Sequence, residues 1–271
     1  LHDDAYIIST ENGSAVALEP SYFDKTQDYP LVSKDNKFLI TIQNCGTTID
    51  NEGKLVPVTE DIRNGNGRAI KSKLWAENRV DKLKEPVNSI VWLMKDHSLP
   101  PVVKLEEPVL ASVMGACLAT KRTSAEKILK GTDKDALVFE PYANPFRTYA
   151  LEQDYNKIKA LFAERTVSCY IINTGHFLNL KIPKEVTIHI IEQIVDGTAD
   201  FKPFGPFSEM KTMEVEGFIP DFKDKDYVEL LQNSIENRIN YLLSLKEFKG
   251  GRDQLPDEAL ATLQTLLKYV N

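Results

Sequence analysis

The chain is 271 residues long and sets 33 Lys and Arg against 40 Asp and Glu, a net charge of −7. That balance excludes a protein whose main task is to neutralise nucleic-acid phosphates, which takes a surplus of cations. With 42% apolar and 27% charged residues it is also excluded from the disordered class and carries ample material for a core.

In chain order, Tyr6–Ser9 and Ser14–Leu18 flank Glu11-Asn12-Gly13 and predict a hairpin. Phe38–Ile42 is a β-branched run and predicts a strand, whereas Asn51 to Gly67 is polar and turn-rich and predicts a loop. Val87–Met94 is continuously apolar, the pattern of a central strand buried on both faces. Glu106–Thr120 predicts a helix with Glu106 and Glu107 at its positive end. Lys121–Lys134 is small and charged and predicts a mobile segment. Gln153–Glu164 is helical by the spacing of Tyr155, Ile158, Leu161 and Phe162, and Val167–Ile172 is a second buried strand.

Pro183 opens a helix that Gly197 closes. A Pro/Phe-rich passage (Pro203–Phe207) leads to two C-terminal helices, Asp226–Leu245 and Pro256–Val270. Strands first, helices last and a few alternations between them predict a mixed α/β (α+β) fold, with residues 1–271 forming a single domain.

No apolar run approaches the ~20 residues that cross a bilayer, and no leader pattern stands at the start. Cys45, Cys117 and Cys169 form neither a metal-spaced pair nor a disulfide framework. The expectations are a cytoplasmic location and neither membrane nor nucleic acid as partner. The opening Leu1-His2-Asp3-Asp4 without an initiator Met is the expected look of a trimmed precursor or a piece of a longer protein.

Asp3-Asp4 before a strand offers oxygen ligands that suit a hard divalent cation. Gly65-Asn66-Gly67 is a partial glycine finger, better read as a turn, and no GxxxxGK[ST] occurs. The histidines His2, His97, His176 and His189 form neither HxxxH nor HExxH. His176, just after a strand, is the best functional candidate among them. Cys169, inside an apolar strand, is a core residue rather than a nucleophile.

Several short motifs, in order, resemble the C-terminal catalytic part of the phosphoenolpyruvate carboxykinases, closer to the ATP-dependent type. They are Leu1-His2-Asp3-Asp4, then Glu19 with Lys25-Thr26, then Glu77-Asn78-Arg79-Val80 ahead of Pro86 and the Val87–Met94 strand. Leu99-Pro100-Pro101-Val102, Asn173-Thr174-Gly175, and Lys181-Ile182 with Thr187 follow. The resemblance covers residues 1 to 197 and fades beyond. Lys181 stands where the family has Arg, and His176–Leu180 stands where the family has glycines.

The resemblance implies a carboxykinase C-terminal-like domain, a mixed sheet with flanking helices and a helical C-terminus. It implies a P-loop-bearing part upstream of this chain, and an isolated chain without turnover. The implied reaction is decarboxylation of oxaloacetate with phosphoryl transfer from ATP to the enolate. Asp4 would then be a Mn²⁺ ligand, and Asp3 would organise the nucleotide-bound Mg²⁺. Lys25 and Arg79 would neutralise the phosphoryl group in flight, and Lys181 and Thr187 would contact the nucleotide. Two other readings stay open: a kinase on the same scaffold with a different acceptor, and a catalytically inactive binding module.

Overall fold

A computed structural model describes residues 5–18, 22–25, 42–43, 47–57, 68–71, 80–121, 137–144 and 146–270. The chain divides into two units, Leu1–Val87 and Asn88–Asn271.

The first unit is made of short antiparallel strands. β1 (Tyr6–Ile8) and β2 (Ala15–Ala17) form the predicted hairpin with Ile7 opposite Val16. Its connection closes through Gly13, at φ +74°, whose N–H donates to the Ser9 carbonyl. β3 (Tyr22–Lys25) and β4 (Ile42–Gln43) both pair with β7 (Arg68–Lys71). β5 (Thr47–Ile49) and β6 (Leu55–Pro57) form a second hairpin. Its turn is pinned by the Asp50 carboxylate, which accepts from the Glu52 and Lys54 amides. The expected loop over Asn51–Gly67 therefore contains a strand: a side chain-to-backbone turn at Asp50 lets even a polar stretch reverse and pair. β8 (Lys82–Leu83) adds to β2. Phe38–Thr41 and Gly65–Gly67 lie outside the described residues.

The second unit holds a five-stranded sheet. Its members are β9 (Ser89–Met94), β10 (Val102–Leu105), β13 (Ser168–Asn173), β16 (Lys202–Phe204) and β17 (Phe207–Thr212), in the order β16-β17-β10-β13-β9. A separate ribbon pairs β11 (Ala119–Lys121) with β12 (Leu137–Phe139), and a small hairpin pairs β14 (His176–Phe177) with β15 (Leu180–Lys181). β9 and β13 run parallel, from Ser89 opposite Ser168 to Met94 opposite Asn173, and the other pairs are antiparallel.

One sequence expectation changes here, and a passage the sequence left open gains its structure. Among the described residues β9 is an edge strand that buries Trp92 and Met94 and exposes Val91 and Leu93. A short continuous apolar run fits either position, and pairing decides. Its parallel neighbour β13 is the buried interior strand. The Pro/Phe passage is the edge hairpin β16–β17: Gly205 turns it at φ +55°, and Phe204 and Phe207 point fully into the core.

Helix α1 (Pro108–Ala116) is buried from Leu110 to Ala116, so its apolarity runs all round rather than along one stripe. It ends sooner than predicted because Cys117 leaves helical geometry and the chain turns into β11. α2 (Leu151–Glu164) begins two residues earlier than its spacing predicts. α3 (Lys184–Val195) starts after Pro183 and stops before Gly197 at φ +70°, as expected. It packs Ile190 against Val102, Ile172 and Met213 on one face of the sheet. The long α4 (Lys225–Glu247) and α5 (Asp257–Tyr269) join α1 and the opposite face in the main core, through Leu231, Ile235, Leu242, Leu263 and Leu266. Sheets and five helices make the described residues a mixed α/β fold. No helix among them is long and apolar enough to cross a membrane. Apart from Lys121 in β11, the segment predicted mobile lies outside the described residues or at their margin.

Candidate functional site at the ends of the parallel strands

The parallel pair β9 and β13 ends at Met94 and Asn173, directly opposite each other. In open α/β sheets the carboxyl ends of parallel strands are where loops converge and ligands bind. Two loops leave together here, Lys95-Asp96-His97-Ser98 and Thr174-Gly175-His176.

Asn173 is completely buried and ties both loops together. The two protons of its Nδ2 are shared among the carbonyls of Asp96 (2.7 Å), Leu99 (2.7 Å) and His176 (2.9 Å), and its Oδ1 accepts from the Gly175 amide at 3.0 Å. Gly175 has little room for a side chain: a Cβ there would stand 3.3 Å from both the Asn173 Oδ1 and the Lys95 Cβ. The Asn-Thr-Gly motif thus works as a backbone clamp.

Beyond it the β14–β15 turn places Leu178 at φ +51°, a left-handed conformation that costs a β-carbon residue ~1–2 kcal/mol. His97 holds this turn twice. Its carbonyl accepts from the Leu178 amide at 2.7 Å, and its Nδ1 lies 3.0 Å from the Leu178 carbonyl. A carbonyl can only accept, so Nδ1 carries the proton. The His97 and His176 rings stack with centroids 5.4 Å apart and planes 12° from parallel. The half-buried His176 is therefore part of this lip.

Lys181 lies opposite His176 in the β14–β15 ladder, with its side chain exposed. Thr187 sits in the first turn of α3, half-buried, its amide bonded to the Pro183 carbonyl at 3.3 Å. Lys181 thus stands in this lip, while Thr187 lies further along the chain in α3. Lys25 ends β3 in the first unit, opposite Arg68. Asp3, Asp4 and Arg79 lie outside the described residues. Among the described residues no group of three or more His, Cys, Asp or Glu could hold a metal ion. The oxygen donors of Asp3 and Asp4 suit a hard divalent cation in kind.

Under the lip is a buried charge cluster that sequence reasoning missed. The Asp96 carboxylate accepts from the Ser98 amide (2.9 Å), the Ser98 hydroxyl (2.7 Å), the Ser234 hydroxyl (2.7 Å) and Arg238 Nη2 (2.7 Å). Burial by itself would push this carboxyl up. The Arg238 guanidinium and the serine hydrogen bonds outweigh it and hold the carboxyl below its ordinary value. Arg238 was legible as an anomaly, a cation on the apolar stripe between Ile235 and Leu242. Finding its partner took the fold.

Cys117 and Cys169 are buried, free thiols. Burial pushes Cys117 up to about 12 and raises Cys169 as well, so neither is poised as a thiolate nucleophile.

No protein-family model matches the chain. Over 206 residues, 74% of its length, it is 25% identical to phosphoenolpyruvate carboxykinase (ATP) from Aeropyrum pernix, and the match spans 40% of that protein. The chain therefore stands in a distant, carboxykinase-like relationship to that enzyme.

Proposed function

We propose that this chain is the C-terminal-like part of a cytoplasmic, carboxykinase-like enzyme. On this reading it works as one domain with an upstream, P-loop-bearing part of the same protein, and its substrates are a nucleotide and a small dicarboxylate. The match to phosphoenolpyruvate carboxykinase (ATP) over 206 residues is the observation that carries this reading. The exposed Lys181, in the lip at the parallel strand ends, supports it, because a cation at that edge suits phosphate oxygens.

The reaction would break the bond between oxaloacetate C3 and its carboxylate, release CO₂ and leave an enolate. The enolate oxygen would take the γ-phosphoryl group of ATP, giving phosphoenolpyruvate and ADP. Phosphoryl transfer is mostly positioning and charge compensation. Lys25 and Arg79 would supply cations to the transferring oxygens, while Lys181 and Thr187 would contact the nucleotide. Lys181 keeps the charge of an Arg but lacks its planar fork. Mn²⁺ held by Asp4, and Mg²⁺ with the nucleotide near Asp3, would supply further charge neutralisation.

The bulky turn at Leu178 favours a second reading, a kinase with an acceptor other than an enolate. The test is phosphoenolpyruvate formation from oxaloacetate and ATP with both metals, by the natural polypeptide and by the 271-residue chain alone. Turnover by the natural polypeptide, lost in Arg79→Ala and Asp4→Asn and absent from the chain alone, is expected. Transfer to other acids or sugars instead would move the assignment to the kinase. If both substitutions leave every activity intact, the chain is a binding module.

A further inference from the structure

We propose that Arg238 is a positioning residue: acting through Asp96 and Asn173, it sets the geometry of the loop Thr174–Leu178. The consequence for a nucleotide rests on the reading above.

The relay can be followed atom by atom. Arg238, on α4, donates to the Asp96 carboxylate at 2.7 Å and braces itself on Ser234, through Nη1 to its hydroxyl at 2.5 Å and its carbonyl at 3.1 Å. Tyr227, one helical stretch earlier, adds a hydroxyl donation to the Ser98 carbonyl at 3.2 Å. The same loop, 95–98, presents the Asp96 carbonyl to Asn173 Nδ2 and the His97 carbonyl to the Leu178 amide. Asn173 then holds the His176 carbonyl and the Gly175 amide. The links are buried or half-buried hydrogen bonds, with the Asn173 Nδ2 protons shared between both loops, so displacing Asp96 moves the frame that holds the turn.

Stability alone does not account for this arrangement. A buried ion pair is poor value as a stabiliser, because desolvation cancels much of the attraction and apolar replacements of similar volume do as well. Arg238 is 3% exposed, and its Nε has no hydrogen-bond partner among the described residues. A cation left short of one bond inside an apolar helix face is costly for packing. What it secures is direction: a guanidinium braced on Ser234 fixes where Asp96 lies. The φ +51° turn at Leu178 is of the kind that persists only where its surroundings over-determine it.

Hydrogen exchange on the 271-residue chain, read by peptide over residues 173–182, tests the relay in Arg238→Met and Arg238→Lys. Exchange of the Gly175, Leu178 and Ile182 amides should speed up by about tenfold or more in Arg238→Met. Any speeding up at the β17 and α5 amides should match the loss of global stability and grow with denaturant, whereas that in the loop should come from denaturant-independent local opening, and Arg238→Lys should restore most of the protection. Unchanged exchange over 173–182, or equal acceleration across the whole second unit, overturns the proposal. If Arg238→Met does not fold, the double variant Asp96→Asn with Arg238→Gln is read by the same criteria. A second arm titrates Mg-ATP into the natural polypeptide and its Arg238 variants, where affinity should fall about tenfold in Arg238→Met and return in Arg238→Lys. A loop that loosens in a protein with no ATP binding supports the relay and defeats the nucleotide reading alone.

Discussion

The Asp96 carboxylate and the Arg238 guanidinium meet at 2.7 Å with side chains 6% and 3% exposed, joining the loop after β9 to the middle of α4. Removing one partner leaves the other charged and dry. Asp96→Ala or Arg238→Ala should each destabilise the second unit by about 3–5 kcal/mol in urea denaturation. The paired replacement Asp96→Leu with Arg238→Met should cost less than the sum of the two single losses. An additive result would mean that the two side chains do not interact.

Stability should also fall in acid. The Arg147 hydrogen bond holds the Asp253 carboxyl below its ordinary value, the Lys159 hydrogen bond does the same for Glu258, and Asp96 is lowered against its own burial. A carboxyl lowered on folding contributes stability above its unfolded value and loses it as pH drops through the folded one. The urea midpoint should therefore hold steady towards neutral pH and decline below about pH 4. Asp96→Asn should flatten part of that decline, and an unchanged slope in this variant would count against the ionised buried pair.

Two neighbouring acids should behave differently. Glu107 caps α1, its carboxylate accepting from the Val109 amide at 2.9 Å and the Leu110 amide at 2.6 Å. Glu106 instead pairs with Lys211 and Lys104 at the surface. Glu107→Ala should cost about 1 kcal/mol, up to ~2, and Glu106→Ala ~0.5 kcal/mol or less. Chemical denaturation of both variants measures the difference directly.

Gly115 lies in the all-buried helix α1, where an added Cβ would come within 2.7 Å of the Trp92 ring and 2.8 Å of the Tyr142 ring. Both rings are held, Trp92 by donation to the Ala111 carbonyl at 3.1 Å and Tyr142 by the Ser112 hydroxyl at 3.0 Å. Gly115→Ala should therefore destabilise by about 1–3 kcal/mol despite Ala's better helix propensity. The displaced indole should show as a change in tryptophan fluorescence. A gain in stability would show that the rings can move aside.

Much of this was legible without coordinates. Periodicity located α2 to α5, Gly13 and Gly197 marked their turns, and the Asn-Thr-Gly motif falls at the end of β13. Local chemistry decides such features: a glycine where φ must be positive, a Pro before a helix, an apolar stripe of the right spacing. The amino acids alone also set the acid-rich surface and the run of apolar residues that becomes the sheet. The tertiary structure decided which strand was central, that the Pro/Phe passage was a core hairpin, and that Asp96 and Arg238 are a pair although 142 positions apart. Those are properties of long-range partners. A residue's own pattern shows that it must be satisfied, while only the fold shows by whom.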